Sequence, residues 1–542
     1  MPTLHWIGKE KVINHHMAVP FRVLEHQYGF TGQGEQREPT TSGNKIIHGD
    51  NLEALKALLP QYEGQIKCIY IDPPYNTGKE SWRYNDNVND PKILRWLNEV
   101  VGKEGEDLTR HDKWLCMMYP RLKLMHKLLS LQGTIIVSVD DSEQASVKLV
   151  LDEIFGRQNA LLQGVVNKAS EIASAYTVSK HEHFLIYTRS QEHFSLNIGG
   201  KFTLSRGTVG NEKQTMPVIT FPAGLPVRNL ADGVYDSSRK IEGSSENIEN
   251  LDPLIVKKGK LGASIRMKAK WRSSNDMRNF FKNECRPTPA KINGIIEEIY
   301  IDGDRFMPFI KKNTSQKVSS LFLGNRRGSL DLENLGLKGQ FENPKALPFL
   351  EYLLEILTGE DDIVLDSFAG SGTTAHAVLN LNLSNNLNRR FILIELGDYA
   401  NTLTAERIKR VIQKNFTASE GSCGFDYYEL GEPIFTPDSE LNELAGRFNI
   451  RSYVWYTETK QPYTHPASHN EYLLGTYNGT VYYFVYDEDG TTTLDYAFLA
   501  TMDAGFKGDQ YVIYADNCLL PVEFMQKKNI VFKKIPRDIT KF

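Results

Sequence analysis

Cysteine is scarce in this 542-residue sequence, and the five cysteines form no Cys-x-x-Cys pair. Paired cysteines at that spacing are typical of structural zinc sites and redox motifs, so the sequence predicts neither. A disulfide framework is also not expected with so few cysteines in a chain of this length. All five are expected to be reduced and structural: Cys68, Cys116, Cys285, Cys423 and Cys518. We predict no metal site.

Long hydrophobic runs are also absent. No segment reaches the roughly 18 consecutive apolar residues that a membrane-spanning helix needs. Residues 1–10 lack the basic and then apolar order of a signal peptide, so we expect a cytoplasmic protein with no membrane partner. The pattern Gly-x-x-x-x-Gly-Lys-Ser/Thr does not occur. The chain is therefore not expected to move along DNA by using ATP itself.

Neither sign of charge predominates, since 63 lysines and arginines face 67 aspartates and glutamates, for a net charge of −4. This balance argues against a protein that coats nucleic acid over its whole surface. One segment, 257–286, departs from it, because its only acids are Asp276 and Glu284. We call 257–286 the basic segment. Its basic residues are Lys257, Lys258, Lys260, Arg266, Lys268, Lys270, Arg272, Arg278, Lys282 and Arg286. A solvated surface and a contact with nucleic acid both remain open interpretations.

The length predicts three or four domains at about 150 residues each. Residues 1–43 have weak periodicity and end in a turn-rich stretch, which is typical of an arm and linker. Strands and amphipathic helices alternate over 44–190 and 341–430, whereas 191–340 lack a clear period and 431–542 contain aromatic runs typical of strands. The alternation predicts an α/β fold, with a doubly wound parallel sheet that is split by an inserted domain.

The first chemical motif is Asp72-Pro73-Pro74-Tyr75, which directly follows the buried strand predicted at 67–71. Two successive prolines fix the backbone and remove two N–H donors, and Pro73 forces Asp72 into an extended conformation. The motif therefore predicts a stiff loop that presents a carboxylate, carbonyl oxygens and an aromatic ring. Such a loop suits a planar amine: Asp72 and the Pro73 carbonyl accept its hydrogens, and Tyr75 stacks on its ring. A proline-rich turn with a buried tyrosine is the alternative.

The second motif is a glycine-rich loop that follows the strand predicted at 363–365 and precedes a helix. Glycine allows the backbone to turn sharply and to approach a ligand at a helix N-terminus. An acid, Glu395, ends the next strand, where it could bind ribose hydroxyls. The loop contains Asp366, Phe368, Gly370, Gly372 and Thr373. By itself it predicts a cofactor with a nucleoside, and a nicotinamide cofactor and S-adenosylmethionine are equally compatible with it.

The two motifs together resolve this ambiguity, because Asp-Pro-Pro-Tyr makes no hydride-transfer site but suits methylation of a base amino group. Here the sequence resembles the amino-methylating DNA methyltransferases. The cofactor loop follows the catalytic loop in the chain, as in the circularly permuted β group of that family. Residues 48–51, 76–78 and 341–345 also look like motifs of this group, although Ala346 stands where the family usually has a second proline. Residues 424–430 and 532–536 resemble the modification subunits of Type III restriction systems.

The resemblance implies a Rossmann-like methyltransferase sheet, a target-recognition domain at 191–340 and a C-terminal α+β domain at 431–542. It also implies roles for single residues. Glu395 is expected to bind the ribose of S-adenosylmethionine, Asp50 its adenine and Lys345 its methionine carboxylate. Simpler explanations are a helix cap for Asp50 and a surface position for Lys345. The basic segment, inside the recognition domain, becomes a candidate DNA contact.

The implied activity is sequence-specific methylation of adenine N6 in double-stranded DNA. The target base must leave the helical stack, at a cost of a few kcal/mol, and stacking on Tyr75 recovers about 1 to 3 kcal/mol. No cysteine lies in a Pro-Cys motif of the type that methylates cytosine carbon. Cytosine N4, RNA or a protein amide as acceptor, and a DNA-binding specificity subunit with vestigial methyl transfer, remain alternatives.

Partners follow from the same resemblance. A nuclease or helicase subunit for restriction would be a separate chain, and the protein is expected to form a homodimer. In the C-terminal region the aromatic residues are expected to be core strand residues rather than a ligand surface. They are Tyr453, Trp455, Tyr456, Tyr482, Tyr483 and Phe484.

Overall fold

A computed structural model describes residues 3–74, 106–173, 176, 178–196, 201–208, 215–236, 248–291, 294–303, 306–314, 317–324, 327–415, 423–488, 490–502 and 505–541. The chain forms two compact units, one of Met1–Ser195 with Ser319–Phe542 and one of Leu196–Val318. We call them the larger unit and the inserted unit. Within the described residues, no helix is long and apolar enough to span a membrane.

The larger unit is built on one mixed sheet. Among the described residues it has eleven strands: β1 (Arg22–Thr31), β2 (Gly34–Gln36), β3 (Lys45–His48), β4 (Ile66–Ile71), β5 (Leu129–Val139), β6 (Ala160–Ala173), β7 (Val178–Thr188), β8 (Leu321–Phe322), β9 (Ile363–Asp366), β10 (Arg390–Glu395) and β11 (Gly424–Pro433). Their order across the sheet is β8-β6-β7-β5-β4-β9-β10-β3-β11-β1-β2. The run from β5 to β11 is parallel, and β7 is antiparallel to β5.

Helices connect the parallel strands, as an α/β sheet requires. Those that position the site are α1 (Asn51–Tyr62), α2 (Glu106–Leu128), α3 (Gln144–Leu151), α4 (Leu347–Leu357), α5 (Thr373–Asn385) and α6 (Glu406–Asn415). Strand β9 is buried along its whole length, and β4 and β10 are buried except at Lys67 and Arg390. The predicted α/β sheet is confirmed. It also brings β4 and β9, about 290 residues apart in the chain, next to each other.

One prediction about local structure is wrong. Residues 1–43 are not only an arm and linker, because β1 pairs with β11 in the main sheet. Helix α2 ends at Leu128, and Gly133 lies within β5. A Cβ atom at Gly133 would lie 2.8 Å from the Ile66 carbonyl oxygen, so glycine is needed there for close backbone packing.

Among the described residues, the C-terminal region adds a four-stranded sheet, a two-stranded sheet and three α-helices to the larger unit. The four-stranded sheet is the larger of the two. The strands, in sheet order, are Leu473–Tyr477, Thr480–Phe484, Gln510–Ala515 and Ile530–Lys534. Asn478 and Gly479 both have positive φ at the first hairpin turn, as the Asn-Gly pair predicts. Tyr453, Trp455 and Tyr456 are core residues as expected, but they lie on helix α7 (Arg447–Thr459) and not on a strand.

The inserted unit consists mainly of short strands. Ile295–Asp302 and Met307–Thr314 form its central hairpin, and Ser274–Lys282 is a helix. Its core is separate and is centred on buried aromatic and aliphatic side chains such as Trp271, Phe221 and Ile299. Alternating burial along strand Ile265–Ala269 places its apolar residues in this core and its basic residues outside.

Candidate active site

Both predicted loops leave the sheet at the same edge. Strands β4 and β9 are adjacent and parallel, and Asp366 at the end of β9 pairs with Tyr70 of β4. The carboxyl ends of parallel strands meet at one edge of a sheet, where α/β proteins bind their ligands. Asp72 and the glycine-rich loop after Asp366 therefore start from neighbouring points. Tyr75, the last residue of the first motif, lies outside the described residues.

Asp72 takes part in a buried ion-pair network. The Lys345 ammonium lies 3.1 Å from the Asp72 carboxylate and 2.5 Å from the carboxylate of Glu182, which is on β7. The three side chains are each less than a quarter exposed. Burial by itself would lower the pKa of Lys345, but the two carboxylates outweigh it and raise that pKa above its usual value. Lys345 is therefore a cation that joins two acids, and the alternative of an exposed surface lysine is wrong.

A tryptophan fixes the diproline loop. The indole N–H of Trp114, on α2, donates a 2.7 Å hydrogen bond to the Pro74 carbonyl. Trp114 is fully buried, and a buried indole N–H needs such an acceptor. Proline has no backbone N–H to donate, but its carbonyl can still accept a hydrogen bond. Helix α2 holds the loop through this carbonyl.

The glycine-rich loop needs glycine at both predicted positions. Gly370 and Gly372 have φ of 52° and 79°, a region that side chains disfavour. A Cβ at Gly370 would lie 3.1 Å from the ring of Phe341, and one at Gly372 would lie 3.3 Å from Thr404. The hydroxyl of Thr404 donates to the Gly370 carbonyl at 2.6 Å. A side chain at either position would therefore strain the backbone and crowd Phe341 or Thr404.

A buried arginine holds the other side of this loop. Arg407, on α6, is fully buried and donates to the hydroxyls of Ser371 (2.9 Å) and Thr373 (2.8 Å) and to the Ser371 carbonyl (3.3 Å). It also contacts the ring of His376. Burial lowers the pKa of Arg407 to about 10, so it remains charged at neutral pH. The predicted position Thr373 thus serves, in this structure, to anchor the start of α5.

Two buried acids flank the loop. Asp366 accepts hydrogen bonds from the Phe368 N–H (3.0 Å) and the Thr374 hydroxyl (2.5 Å). Glu395, at the end of β10, accepts from the N–H groups of Gly370 (2.7 Å) and Gly397 (2.8 Å). Burial raises the pKa of Asp366 to about 7, and the charges of Asp72 and Glu395 act in the same direction. The site is therefore rich in acceptors.

The raised pKa of Asp366 predicts a dependence of stability on pH. An unfolded aspartate has a pKa of about 3.9, so the folded protein holds this proton more tightly. The stability from this group is fully present below about pH 4 and is lost as the pH rises through about 7. Asp366→Asn removes the titration, so its thermal unfolding midpoint should fall less than that of the wild type between about pH 5 and pH 8.

Asp438→Asn, at an exposed carboxylate, is the matched control and should show the wild-type pH dependence. Equal pH dependence in all three proteins would show that Asp366 does not titrate in this range.

Asp50 and Asn51 fix the start of α1 beside the glycine-rich loop. The Asp50 carboxylate caps α1 by accepting from the N–H groups of Leu52 and Glu53, so the simpler explanation describes this structure. Arg121 lies 3.4 Å from the same carboxylate. The side chain of Asn51 is buried and donates to the Ser367 carbonyl at 2.9 Å. The start of α1 is thereby tied to the glycine-rich loop, and Phe368 of that loop packs in the main core.

The structure changes the interpretation of the basic segment. Acids outside the segment, but within the inserted unit, pair with two of its basic residues. Arg266 donates three hydrogen bonds to the Asp252 carboxylate, one of them from its backbone N–H, and Lys268 pairs with Glu249 at 3.3 Å. Arg272 and Arg278 donate to backbone carbonyls, and Lys270 is half-buried. Counting acids within 257–286 therefore overstated the unbalanced charge, since residues distant in sequence are paired in space.

Three lysines of the basic segment lie together on one exposed hairpin. Lys257 and Lys260 are paired across its two strands, and Lys258 occupies the turn between them with a φ of 53°. The Asp232 carboxylate accepts from the backbone N–H groups of Lys258 and Gly259 and so fixes the turn. We call 257–260 the lysine hairpin.

Three residues that contact the two loops or Lys345 were not predicted as site residues from the sequence. They are Trp114, Glu182 and Arg407, whereas Asn51 lies in the motif at 48–51. Glu182 could have been found from the sequence, because it is a charged residue two positions before the apolar run 184–187. A charged side chain in a buried strand usually has a partner of opposite charge. Arg407 could not have been found from the sequence, because an arginine on an amphipathic helix is ordinarily expected to face solvent.

Comparison with known proteins places this geometry in context. Residues 66–406 match the protein family described as DNA methylase. The chain is 30% identical over 484 residues to the Mod subunit of the Type III restriction-modification enzyme EcoP15I of Escherichia coli, covering 79% of this chain and 71% of that protein. It is 28% identical over 510 residues to the EcoPI Mod subunit of Escherichia phage P1, covering 84% and 74%.

Solved structures match with lower similarity. The protein TTHA0409 of Thermus thermophilus, solved in complex with S-adenosyl-L-methionine, has 14% identity and a TM-score of 0.31. The match covers 72% of this chain and all of that one.

Proposed function

Because the chain belongs to the DNA methylase family, we propose that it transfers a methyl group from S-adenosylmethionine to adenine N6 within a specific sequence of double-stranded DNA. We propose further that it is the modification subunit of a Type III restriction-modification system. One structural observation carries the enzymatic assignment. The diproline loop Asp72-Pro73-Pro74 and the glycine-rich loop follow adjacent parallel strands and leave the sheet at one edge.

The residues of the loop fit the methyl donor. S-adenosylmethionine, when bound, supplies an electrophilic methyl group on a sulfonium centre. Gly370 and Gly372 have positive φ, which turns the backbone sharply, and the N-terminus of α5 begins directly after them. Each oxygen of the Glu395 carboxylate accepts a backbone N–H, which holds this acid beside the loop where the resemblance places the ribose. Asp50, at the start of α1, and Lys345 complete the proposed cofactor site.

The role of Asp72 follows from the chemistry of the acceptor. The lone pair of an adenine amino group is delocalised into the ring, which makes the nitrogen a poor nucleophile. Hydrogen bonds from that amino group to the Asp72 carboxylate and the Pro73 carbonyl favour a tetrahedral nitrogen and free its lone pair. Transfer then depends on positioning and electrostatics and needs no covalent intermediate with the enzyme. The hydrogen bond from Trp114 to the Pro74 carbonyl holds the diproline loop in this position.

Lys345 acts on Asp72 directly. Its ammonium, 3.1 Å from the Asp72 carboxylate, stabilises the negative charge that must accept the amino hydrogens. Glu182 holds the same ammonium at 2.5 Å and so fixes the direction from which Lys345 approaches. The methionine carboxylate that the resemblance assigns to Lys345 must therefore share it with these two acids.

Target recognition is proposed for the domain 191–340, which contains the inserted unit Leu196–Val318. Its lysine hairpin offers three closely spaced cations, and lysine contacts with phosphates contribute affinity but little sequence information. The arginines of the basic segment are less available, because Arg266 is held by Asp252. We propose that the lysine hairpin contacts the DNA backbone.

Replacing the lysines at 257, 258 and 260 by alanine should weaken DNA binding and reduce its salt dependence. Each lost phosphate contact lowers the slope of log affinity against log salt by about 1, so the slope should fall by up to about 3. Fluorescence anisotropy with a DNA duplex over a series of salt concentrations measures this slope. Lys527→Ala/Lys528→Ala, at two exposed lysines of the C-terminal region, is the control. An unchanged slope in the triple variant would exclude the hairpin as a contact.

The methylated nucleoside tests the function. DNA from cells that express the protein should contain N6-methyladenine in one sequence context, read by single-molecule sequencing and by digestion to nucleosides. Finding N4-methylcytosine would overturn the choice of acceptor. Finding no methylated base with either the wild type or Asp72→Ala would favour a specificity subunit with vestigial transfer.

The proposed assembly follows the Type III interpretation. Its partners are double-stranded DNA, a separate restriction subunit with nuclease and helicase activity, and a second copy of the chain. Light scattering on the purified protein should give the mass of a dimer, and a strict monomer at working concentration would contradict this part of the proposal. Cytoplasmic localisation is proposed because the substrate is the DNA of the cell.

A further inference from the structure

Two histidines and an aspartate converge on the surface of the larger unit. The Nε2 atom of His183 lies 2.7 Å from an oxygen of Asp141, and that of His181 lies 3.8 Å from the same oxygen. The three ligand atoms all lie within 4.8 Å of one another. Among the described residues this is the one group of histidine, cysteine and acidic side chains with such a geometry.

Strand geometry explains why these atoms meet. His181 and His183 are two residues apart on β7, so their side chains point to the same face of the sheet. Val139, the last residue of β5, pairs with His183, and Asp141 lies in the turn that follows β5. The Nδ1 atom of His183 is buried, so its Nε2 is the atom that is offered. The sheet therefore fixes the two histidines on one face of β7, next to the turn that carries Asp141.

We propose that Asp141, His181 and His183 bind a divalent transition-metal ion, with zinc as the expected occupant. Two imidazoles and one carboxylate are donors that zinc accepts while keeping a position open for water. Magnesium and calcium prefer sites made of oxygen atoms and are not expected here. The sequence predicted no metal site because the ligands lie about 40 residues apart and only the pairing of β5 with β7 brings them together.

The bound ion would lie next to the part of β7 that carries Glu182, the residue that holds Lys345 at the proposed active site. Glu182, which holds Lys345, stands between the two histidines in the chain and faces the opposite side of the strand. An ion that joins Asp141 to both histidines would fix the carboxyl end of β5 to this stretch of β7. The proposal assigns the metal no step in methyl transfer and does not depend on which base is methylated.

The competing explanation is a simple ion pair between Asp141 and a protonated His183. Asp141 is 66% exposed, and exposed pairs contribute little stability. The two explanations differ in a measurable way, because a metal requires neutral imidazoles and adds affinity that an ion pair does not.

Titration of the full-length protein with Co²⁺ and with Zn²⁺ tests the proposal. The protein must carry no polyhistidine tag, because a tag would bind both ions. Isothermal titration should show one site with micromolar affinity, and the absorption spectrum of the Co²⁺ form should lack the charge-transfer band of thiolate ligands. This absence separates the site from the cysteines. His181→Ala and His183→Ala should each weaken binding at least about tenfold, since even indirect contacts to a metal are worth that much.

His193→Ala, at an exposed histidine outside the cluster, is the matched control and should bind metal as the wild type does. Circular dichroism of each variant shows whether it is folded. Absence of a micromolar site in the wild type, or equal binding in folded His181→Ala, His183→Ala and wild-type proteins, would overturn the proposal and leave the ion pair.

Discussion

An Asp72→Ala variant should bind duplex DNA with the affinity of the wild type and yet incorporate methyl groups at least about a hundredfold to a thousandfold more slowly. The expected loss is that of a hydrogen-bonding group which acts on the reacting atoms in the transition state. DNA affinity should be unaffected because Asp72 is recessed at the edge of the sheet, where it pairs with Lys345. Radiolabelled methyl transfer under single-turnover conditions, measured beside anisotropy for DNA binding, separates the two effects.

Asp72→Asn is the informative companion to this variant. It keeps the shape and one carbonyl acceptor but loses the charge that Lys345 stabilises, so its rate should fall between those of alanine and aspartate. Methyl transfer at the wild-type rate in Asp72→Ala would show that the catalytic site has been assigned to the wrong residue.

Lys345→Met should lower the stability of the larger unit by about 3 kcal/mol or more, because breaking a buried ion pair by removing one partner leaves uncompensated charge. Here two carboxylates, Asp72 and Glu182, would face each other without the cation between them. A lower thermal unfolding midpoint and weaker binding of S-adenosylmethionine are both expected. Isothermal titration calorimetry measures the affinity for S-adenosylmethionine without depending on catalysis.

The double variant Lys345→Met/Glu182→Gln separates the electrostatic effect from the loss of packing. Removing the second charge should restore part of the stability, because only Asp72 then remains ionised at this position. Lys338→Met is the matched control, since Lys338 is 75% exposed and pairs with Glu333 at the surface, where the loss should be within about 1 kcal/mol. Equal effects of Lys345→Met and Lys338→Met would contradict the buried network.

The candidate site was predictable from the sequence where the chemistry depends on neighbouring residues in the chain. Prolines after Asp72 and glycines at 370 and 372 restrict or permit backbone conformations locally, so the two loops and their strands could be placed from the sequence. Residues that act through distant partners were less predictable. The cofactor contacts expected of Asp50 and Lys345 remain predictions. In the structure Asp50 caps α1, and Lys345 lies between Asp72 and Glu182.

The basic segment illustrates the same limit. Its ten basic residues stand near few acids in the chain, yet Asp252 and Glu249 pair with two of them because antiparallel strands bring these acids alongside. The aromatic residues of α7 were predicted to be buried, and they are, but on a helix. Burial depends on composition, whereas the type of element in a short aromatic run is settled by tertiary packing.

By itself, the sequence determined the α/β class, the two loops and the kind of chemistry that they can perform, because backbone restriction and hydrophobic alternation act over a few residues. Only the tertiary structure decided that β4 lies beside β9, that Lys345 joins Asp72 to Glu182, and that Asp141 meets two histidines of β7. Strand order and register bring together residues that are distant in the chain, and no local pattern encodes which strands will be neighbours.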